Sequence, residues 1–241
     1  MLSDKTLVLC HGHKDRKIKE LDYKETILAT ITLEDEPDVI VNLFEKLPES
    51  LTKYKFPKII DAFCPIDVNY IRSTIKTSFR GGIIDAELDP TYINKIRKLL
   101  ADDGLFYIRC IYFVDEIRNN ELLINKMFPF GFEFVKLEKL TFDETSIKFH
   151  VYRKKAVPKL EDLIEFTREL IQAENVYEIQ VKYKDRDVED FLSISAGEFE
   201  DSIDTILSLD KKIYYFAILY NNMTVELINK FDITALLKML K

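Results

Sequence analysis

Short apolar runs recur along the first 155 or so positions, and most stop at a glycine, a proline or a group of acids. The first, Leu7 to Cys10, is a buried strand running into a tight turn at Gly12. The second, Ile27 to Leu33, is β-branched and ends at Glu34-Asp35-Glu36. Only about a dozen residues separate these two strands, the lower limit for a crossover connection, so any helix between them is very short. Asp38 to Leu43 reads as a third strand, and Lys58 to Cys64 as the next central strand, stopped by Pro65. Asn69 to Phe79 has helical character and is broken at Gly81-Gly82. Pro90 opens a helix whose Tyr92, Ile93, Ile96, Leu99 and Leu100 share a face. The turn Asp102-Asp103-Gly104 feeds a strand from Leu105 to Phe113, and Leu122 to Phe128 is a short helix. Phe132 to Leu140 and Ser146 to Arg153, joined through Asp143-Glu144, have the pattern of an antiparallel hairpin closing a sheet. Strand and helix alternating, then a hairpin, predicts an α/β fold of the Rossmann-like kind. Its ligand crevice would lie beyond the carboxyl end of the first strand.

The last third is patterned differently. Leu160, Leu163, Ile164, Thr167, Leu170 and Ile171 form one helical stripe, and Val176 to Tyr183 alternates as a half-exposed strand. Lys212 to Tyr220 is an aromatic strand, while Val225, Ile228, Ile233, Leu236, Leu237 and Leu240 suggest a closing helix. Charge changes at the same place. Residues 1–157 hold 25 basic and 25 acidic side chains, whereas residues 158–241 hold 10 and 17, so the surplus acid behind the net charge of −7 lies after Val157. The expected organisation is therefore a Rossmann-like domain over 1–157 and a small acidic α+β annex over 158–241. Nine acids and one arginine between Asp185 and Asp210 point the annex toward a protein partner with a basic face, or toward self-association, rather than toward nucleic acid.

Composition excludes some classes. No apolar run approaches the roughly 20 residues of a membrane span. The first strand follows directly on the amino terminus with no secretory pattern. The three cysteines are an odd number in apolar surroundings, which predicts a reducing, cytoplasmic setting rather than a disulfide framework. A basic surface over the whole molecule is also disfavoured. Lys14, Arg16, Lys17 and Lys19, with Arg72, Lys76 and Arg80, would nonetheless suffice for a local basic mouth that receives phosphate or nucleic acid, or they are solvated surface lysines and arginines.

Four segments, in order, resemble class I S-adenosylmethionine-dependent methyltransferases, most of all the compact, degenerate methyltransferase-like proteins of large DNA viruses. They are Leu9-Cys10-His11-Gly12-His13, Leu33-Glu34-Asp35, Asp61-Ala62-Phe63-Cys64-Pro65, and Leu100-Ala101-Asp102-Asp103-Gly104-Leu105-Phe106. The resemblance covers about two-thirds of the chain. It implies a sheet that is parallel except for a late reversed strand entered by a hairpin, with S-adenosylmethionine as cofactor. The sequence departs from the family at several points. Gly12 stands alone where the glycine-rich loop of an active member has about three glycines. Thr32 occupies the usual place of the ribose-binding acid, with Glu34 two residues on, and Asn42 the place of an acid that contacts adenine. Pro57 stands where an aspartate often opens the fourth strand.

The candidate site follows from these segments. Gly12 admits close approach of a ligand to the backbone, or is a simple turn glycine. Glu34 can accept from both ribose hydroxyls, or is one exposed carboxylate in an acidic loop. Cys10 and Cys64, with His11 and His13, are expected side by side at the switch point. Thiolate and imidazole suit zinc, but Cys-His-x-His lacks the usual spacing, so these residues read as packing of the crevice floor and no metal is assigned. The expected cofactor set is Cys10, Gly12, His13, Glu34, Asn42, Asp61 and Cys64. Asp67 and Tyr70 are the candidates to orient or deprotonate an acceptor, which the sequence does not identify. The alternative is a catalytically inactive scaffold that keeps the sheet and acts through the annex by protein–protein interaction.

Overall fold

A computed structural model describes residues 4–9, 17–30, 37–41, 46–62, 90–109, 125–172, 176–185, 188–209, 212–220, 223–226 and 233–241. Its elements fall into two compact units, the first ending at Ala156 and the second running from Val157, with the segment before Phe130 also in the second. The predicted helix over Asn69 to Phe79 lies outside the described residues.

The first unit is built on seven strands: β1 (Thr6–Leu9), β2 (Thr26–Thr30), β3 (Val39–Ile40), β4 (Phe56–Asp61), β5 (Leu100–Arg109), β6 (Phe132–Phe142) and β7 (Thr145–Lys154). Their order is β3-β2-β1-β4-β5-β7-β6. The pairings from β3 through β5 are all parallel, and β7 runs against both β5 and β6. This is a mixed α/β fold with a mostly parallel sheet, compatible with a Rossmann-like architecture, and the hairpin of β6 and β7 closes one side of it. Burial of both faces explains why β1 and the end of β4 read as continuous apolar runs rather than as alternations. One row across the sheet is Leu28, Val8, Ile60, Tyr107 and Val151. The next row, on the opposite face, is Ala29, Leu9, Asp61, Ile108 and His150. All ten are buried.

Among the described residues, this unit has two short α-helices, α1 (Glu49–Thr52) and α2 (Pro90–Leu99). Pro90 suits the first helical position, where its missing N–H costs nothing. Ile93, Ile96 and Leu99 form the buried face of α2, and the side chains of Lys55 and Lys154 donate to the carbonyls of Lys98 and Leu100 where the helix ends. Leu100, expected to share that helical face, instead begins β5. It pairs with Phe56, the ladder resumes at Leu105 opposite Lys58, and Asp103 between them has φ 57°. The Asp-Asp-Gly turn is thus a bulge inside the strand rather than its start.

Of the predicted strand Asp38 to Leu43, Val39 and Ile40 form β3, Asp38 and Val41 lie outside it, and Asn42 and Leu43 lie outside the described residues. The two paired residues are extended by the side chain of Asp38, whose Oδ2 accepts from Leu28 N at 2.7 Å while its own N–H donates to Leu28 O at 3.0 Å. A carboxylate here takes the place of the next backbone rung.

The connection from β1 to β2 holds no described α-helix. Its segment Lys17 to Glu20 attaches to the tip of the β6–β7 hairpin. Ile18 bridges Phe142, Lys19 N donates to Thr141 O (2.9 Å), and Asp143 N donates to Lys17 O (2.8 Å). Glu20 Oε2 accepts from Thr141 N at 2.9 Å. Ile18 and Phe142 then bury themselves on the Val8–Tyr107 face together with Leu140 and Phe149. The hairpin end and this clasp therefore cover sheet surface that a crossover helix covers in an ordinary βαβ unit.

The second unit has α3 (Leu160–Gln172), β8 (Val176–Asp185), β9 (Val188–Ser195), α4 (Phe199–Ser208), β10 (Lys212–Tyr220), β11 (Met223–Glu226) and α5 (Ile233–Leu240). Its separate four-stranded antiparallel sheet has the order β11-β10-β8-β9. Ile179, Val181, Phe216 and Ile218 line one face, and Leu163, Leu170, Phe199, Ile203, Leu236 and Leu237 supply the buried helical residues. Val225, expected within the closing helix, pairs with Ile218 in β11, and α5 starts at Ile233.

Candidate functional site

The direction in which successive strands are added reverses between β1 and β4. From β1 the chain steps outward to β2 and β3, and from β4 outward the other way to β5. Crevices form beyond the carboxyl ends of strands at such a point, because the connections on its two sides leave to opposite faces. β1 and β4 are direct neighbours here. Leu9, the last residue of β1, is registered against Asp61, the last of β4. The pairing continues one step further, with Ala62 N donating to Leu9 O at 3.2 Å.

Asp61 is the expected site residue that the structure describes. Its side chain is 4% exposed and lies in the row between Leu9 and Ile108, with Ala29 beyond Leu9. A carboxylate set among apolar neighbours at a sheet edge is a strong acceptor for a ligand amino or hydroxyl group. The small side chain of Ala29 keeps the floor of that row low, whereas Ala62 packs on the opposite face with Val8 and Tyr107. Cys10, Gly12, His13, Glu34, Asn42, Cys64, Asp67 and Tyr70 lie outside the described residues, as do His11, Lys14, Arg16, Thr32, Arg72, Lys76 and Arg80. The order of the chain still relates the cofactor and acceptor candidates. Cys10, Gly12 and His13 follow β1, Glu34 follows β2, Asn42 follows β3, and Cys64, Asp67 and Tyr70 follow β4. These four strands are parallel, so their carboxyl ends lie at the same edge of the sheet.

No family model, curated protein or solved structure matches the chain. Among the described residues, no helix is long and apolar enough to cross a membrane.

His150 is a residue that the sequence reading passed over. It is 3% exposed on β7, in the same row as Asp61 with Ile108 between them, a backbone separation of roughly 10 Å at ordinary strand spacing. The rings of Phe134 and Tyr152 stand 5.7 and 6.3 Å from it. The available signal was a lone imidazole in the otherwise apolar run Phe149-His150-Val151-Tyr152.

Lys17 and Lys19, candidates for a basic mouth, are exposed on either side of Ile18 in the hairpin clasp. On the same face of the sheet as Ile18, Tyr107 donates to Glu138 Oε2 at 3.1 Å. Lys136 Nζ lies 2.8 Å from that carboxylate, and Lys58 Nζ stands 5.1 Å above the Tyr107 ring. Burial, then the negative charge of Glu138, push the Tyr107 phenol well above its ordinary range. Burial alone would raise the Glu138 carboxyl. The bonds from Lys136 and Tyr107 and the charges of Lys136 and Lys58 outweigh it and hold the group below its ordinary value. A depressed carboxyl stabilises the fold above its unfolded value, about 4.3, and loses that contribution as the pH falls through the folded value. Glu138→Gln should therefore lower stability at neutral pH, with a deficit that shrinks at acid pH as the carboxyl of the native chain is protonated, read by denaturant titrations. An equal deficit at both pH values would show that the carboxylate charge plays no part.

Proposed function

We propose that the first unit is a methyltransferase-like domain that binds S-adenosylmethionine, or its product S-adenosylhomocysteine, over the carboxyl ends of β1 and β4. The observation that carries this reading is the strand order β3-β2-β1-β4-β5-β7-β6 with β7 alone reversed, the sheet implied by the resemblance of the four segments. Asp61 fits such a ligand, because a carboxylate at the switch point can accept from its amino or hydroxyl groups. Gly12 is assigned to close backbone approach, Glu34 to the ribose hydroxyls and Asn42 to the adenine edge. Cys10, His13 and Cys64 are assigned to the floor. S-adenosylmethionine supplies an electrophilic methyl group when bound. Asp67 and Tyr70 are the side chains assigned to hold or deprotonate an acceptor.

The second reading is a scaffold that retains the sheet without transferring a methyl group and acts through the acidic second unit. It draws support from the single glycine after β1 and from the nine acids between Asp185 and Asp210. Calorimetric titration with both ligands tests the proposal. Binding is expected, abolished by Gly12→Val and weakened roughly tenfold by Asp61→Asn, the size of one hydrogen bond to a charged group. No heat and no thermal shift at about millimolar ligand would overturn it. Binding without transfer to any acceptor tried would favour the scaffold.

A further inference from the structure

β6 is one of the two edge strands of the large sheet, opposite β3, and eleven residues long. Among the described residues its outer side is occupied at one end alone, where Thr141 O accepts from Lys19 N and Thr141 N donates to Glu20. These two bonds fix which groups face outward. Backbone N–H and C=O alternate sides along a strand, so Lys139 and Leu137 also turn theirs away from β7. Val135, next along, falls in the register shift between Phe134 and Lys136. Among the described residues, the edge thus offers a short, well-defined template around Leu137. That side chain is 44% exposed, one of few large apolar residues so placed.

We propose that this edge pairs with the same edge of a second copy, antiparallel across a twofold axis at Leu137. The charge pattern Lys136-Leu137-Glu138-Lys139 selects the occupant and the register. A twofold at Lys136 sets Lys136 against Lys136, and one at Glu138 sets Glu138 against Glu138. Both arrangements place like charges directly opposite. A twofold at Lys139 would need the backbone of Thr141, already bonded to Lys19 and Glu20. With the axis at Leu137, its outward N–H and C=O exchange two hydrogen bonds with their copies, and the two Leu137 side chains meet on one face. On the other face, Lys136 lies opposite the second copy's Glu138, and Glu138 opposite its Lys136. Lys136 is free to reach across, with its side chain 53% exposed while it rests on Glu138 of its own strand. The arrangement is isologous, and the bulge at Val135 ends it on both sides, so it closes at two copies instead of propagating. The surface belongs to the first unit and does not depend on the ligand reading or on the acidic unit.

Sedimentation velocity on the full chain tests this. The native protein should show a monomer–dimer equilibrium that shifts with concentration. Lys136→Glu and Glu138→Lys should each raise the dimer dissociation constant by roughly tenfold or more, since each sets like charges opposite at both off-axis positions. An equimolar mixture of the two variants should dimerise again, because every cross-pair is then of opposite sign, a recovery that misfolding of either chain would not produce. If Glu138→Lys, which loses the Tyr107 partner, does not fold by circular dichroism, Leu137→Lys and Leu137→Met replace the pair. The lysine variant must be monomeric and the methionine variant dimeric. A native chain that stays monomeric throughout, single variants that dimerise as well as the native chain, or a mixture that stays monomeric would overturn the proposal. The charges would then be serving to keep a free edge from pairing.

Discussion

Phe149→Ala is expected to lower the unfolding free energy by about 3–5 kcal/mol, the range for deleting a fully buried aromatic side chain. Phe149 has no exposed surface. It lies 5.9 Å from Phe142 in a stacked pair at 24° and 6.4 Å from Tyr107. What makes this site sensitive is the way its face of the sheet is closed. The row from Leu28 to Val151 is covered, among the described residues, by the hairpin end and by Ile18, and the two are joined through a few backbone bonds. An alanine leaves a void beneath the hairpin end, and the partners that would have to collapse into it are the ones holding the clasp. Urea denaturation should show a lower midpoint at unchanged slope. A loss below about 1 kcal/mol would mean that the hairpin does not close that face.

Arg97→Ala carries the second large effect, about 2–4 kcal/mol, because it removes two charge-assisted bonds and leaves their acceptors behind. Arg97 Nη1 donates to Gly131 O at 2.7 Å and Nη2 to Lys155 O at 2.5 Å, and the guanidinium lies 5.8 Å from the Phe132 ring centroid. One side chain on α2 therefore ties together the start of β6 and the end of β7. Gly131 also has to be glycine. At φ +71° a side chain is strained, and its Cβ would meet Ala156 O at 2.8 Å and Arg97 Nη1 at 2.9 Å. Arg97→Lys should recover less than half of the loss, since an ammonium lacks the planar fork that reaches two carbonyls at once. Full recovery by lysine would mean that charge alone matters at this position.

The elements most legible in the sequence were those whose local pattern and tertiary burial agree. β1 declares itself as an unbroken apolar run, and the β6–β7 hairpin by two alternating runs around Asp143-Glu144. β4 does so through the run Ile59-Ile60-Asp61, whose neighbour β1 followed from the topology. Leu100 was misassigned because its helical spacing is real up to Leu99, whereas pairing with Phe56 pulls the next residue into the sheet. Val225 similarly fits a helical stripe, but the edge of β10 captured it. Ile18 was hidden inside Lys17-Ile18-Lys19, where two exposed lysines outweigh one apolar residue in any window. Its burial depends on Phe142, more than a hundred positions away. The acid at the switch point was visible as Asp61, whereas His150 was not, because alternation along β7 explains a buried residue there without reference to the row it shares.

The central claim is that a nucleoside-bearing ligand lies over the end of the row formed by Ala29, Leu9, Asp61 and Ile108. Methyl NMR of the full chain, titrated with S-adenosylhomocysteine, observes that row directly. Saturable shifts are predicted for the methyl groups of Leu9, Ala29 and Ile108, with Ile179 and Val181 of the second sheet unmoved. Shifts confined to the second unit, or none at saturating ligand, would contradict it.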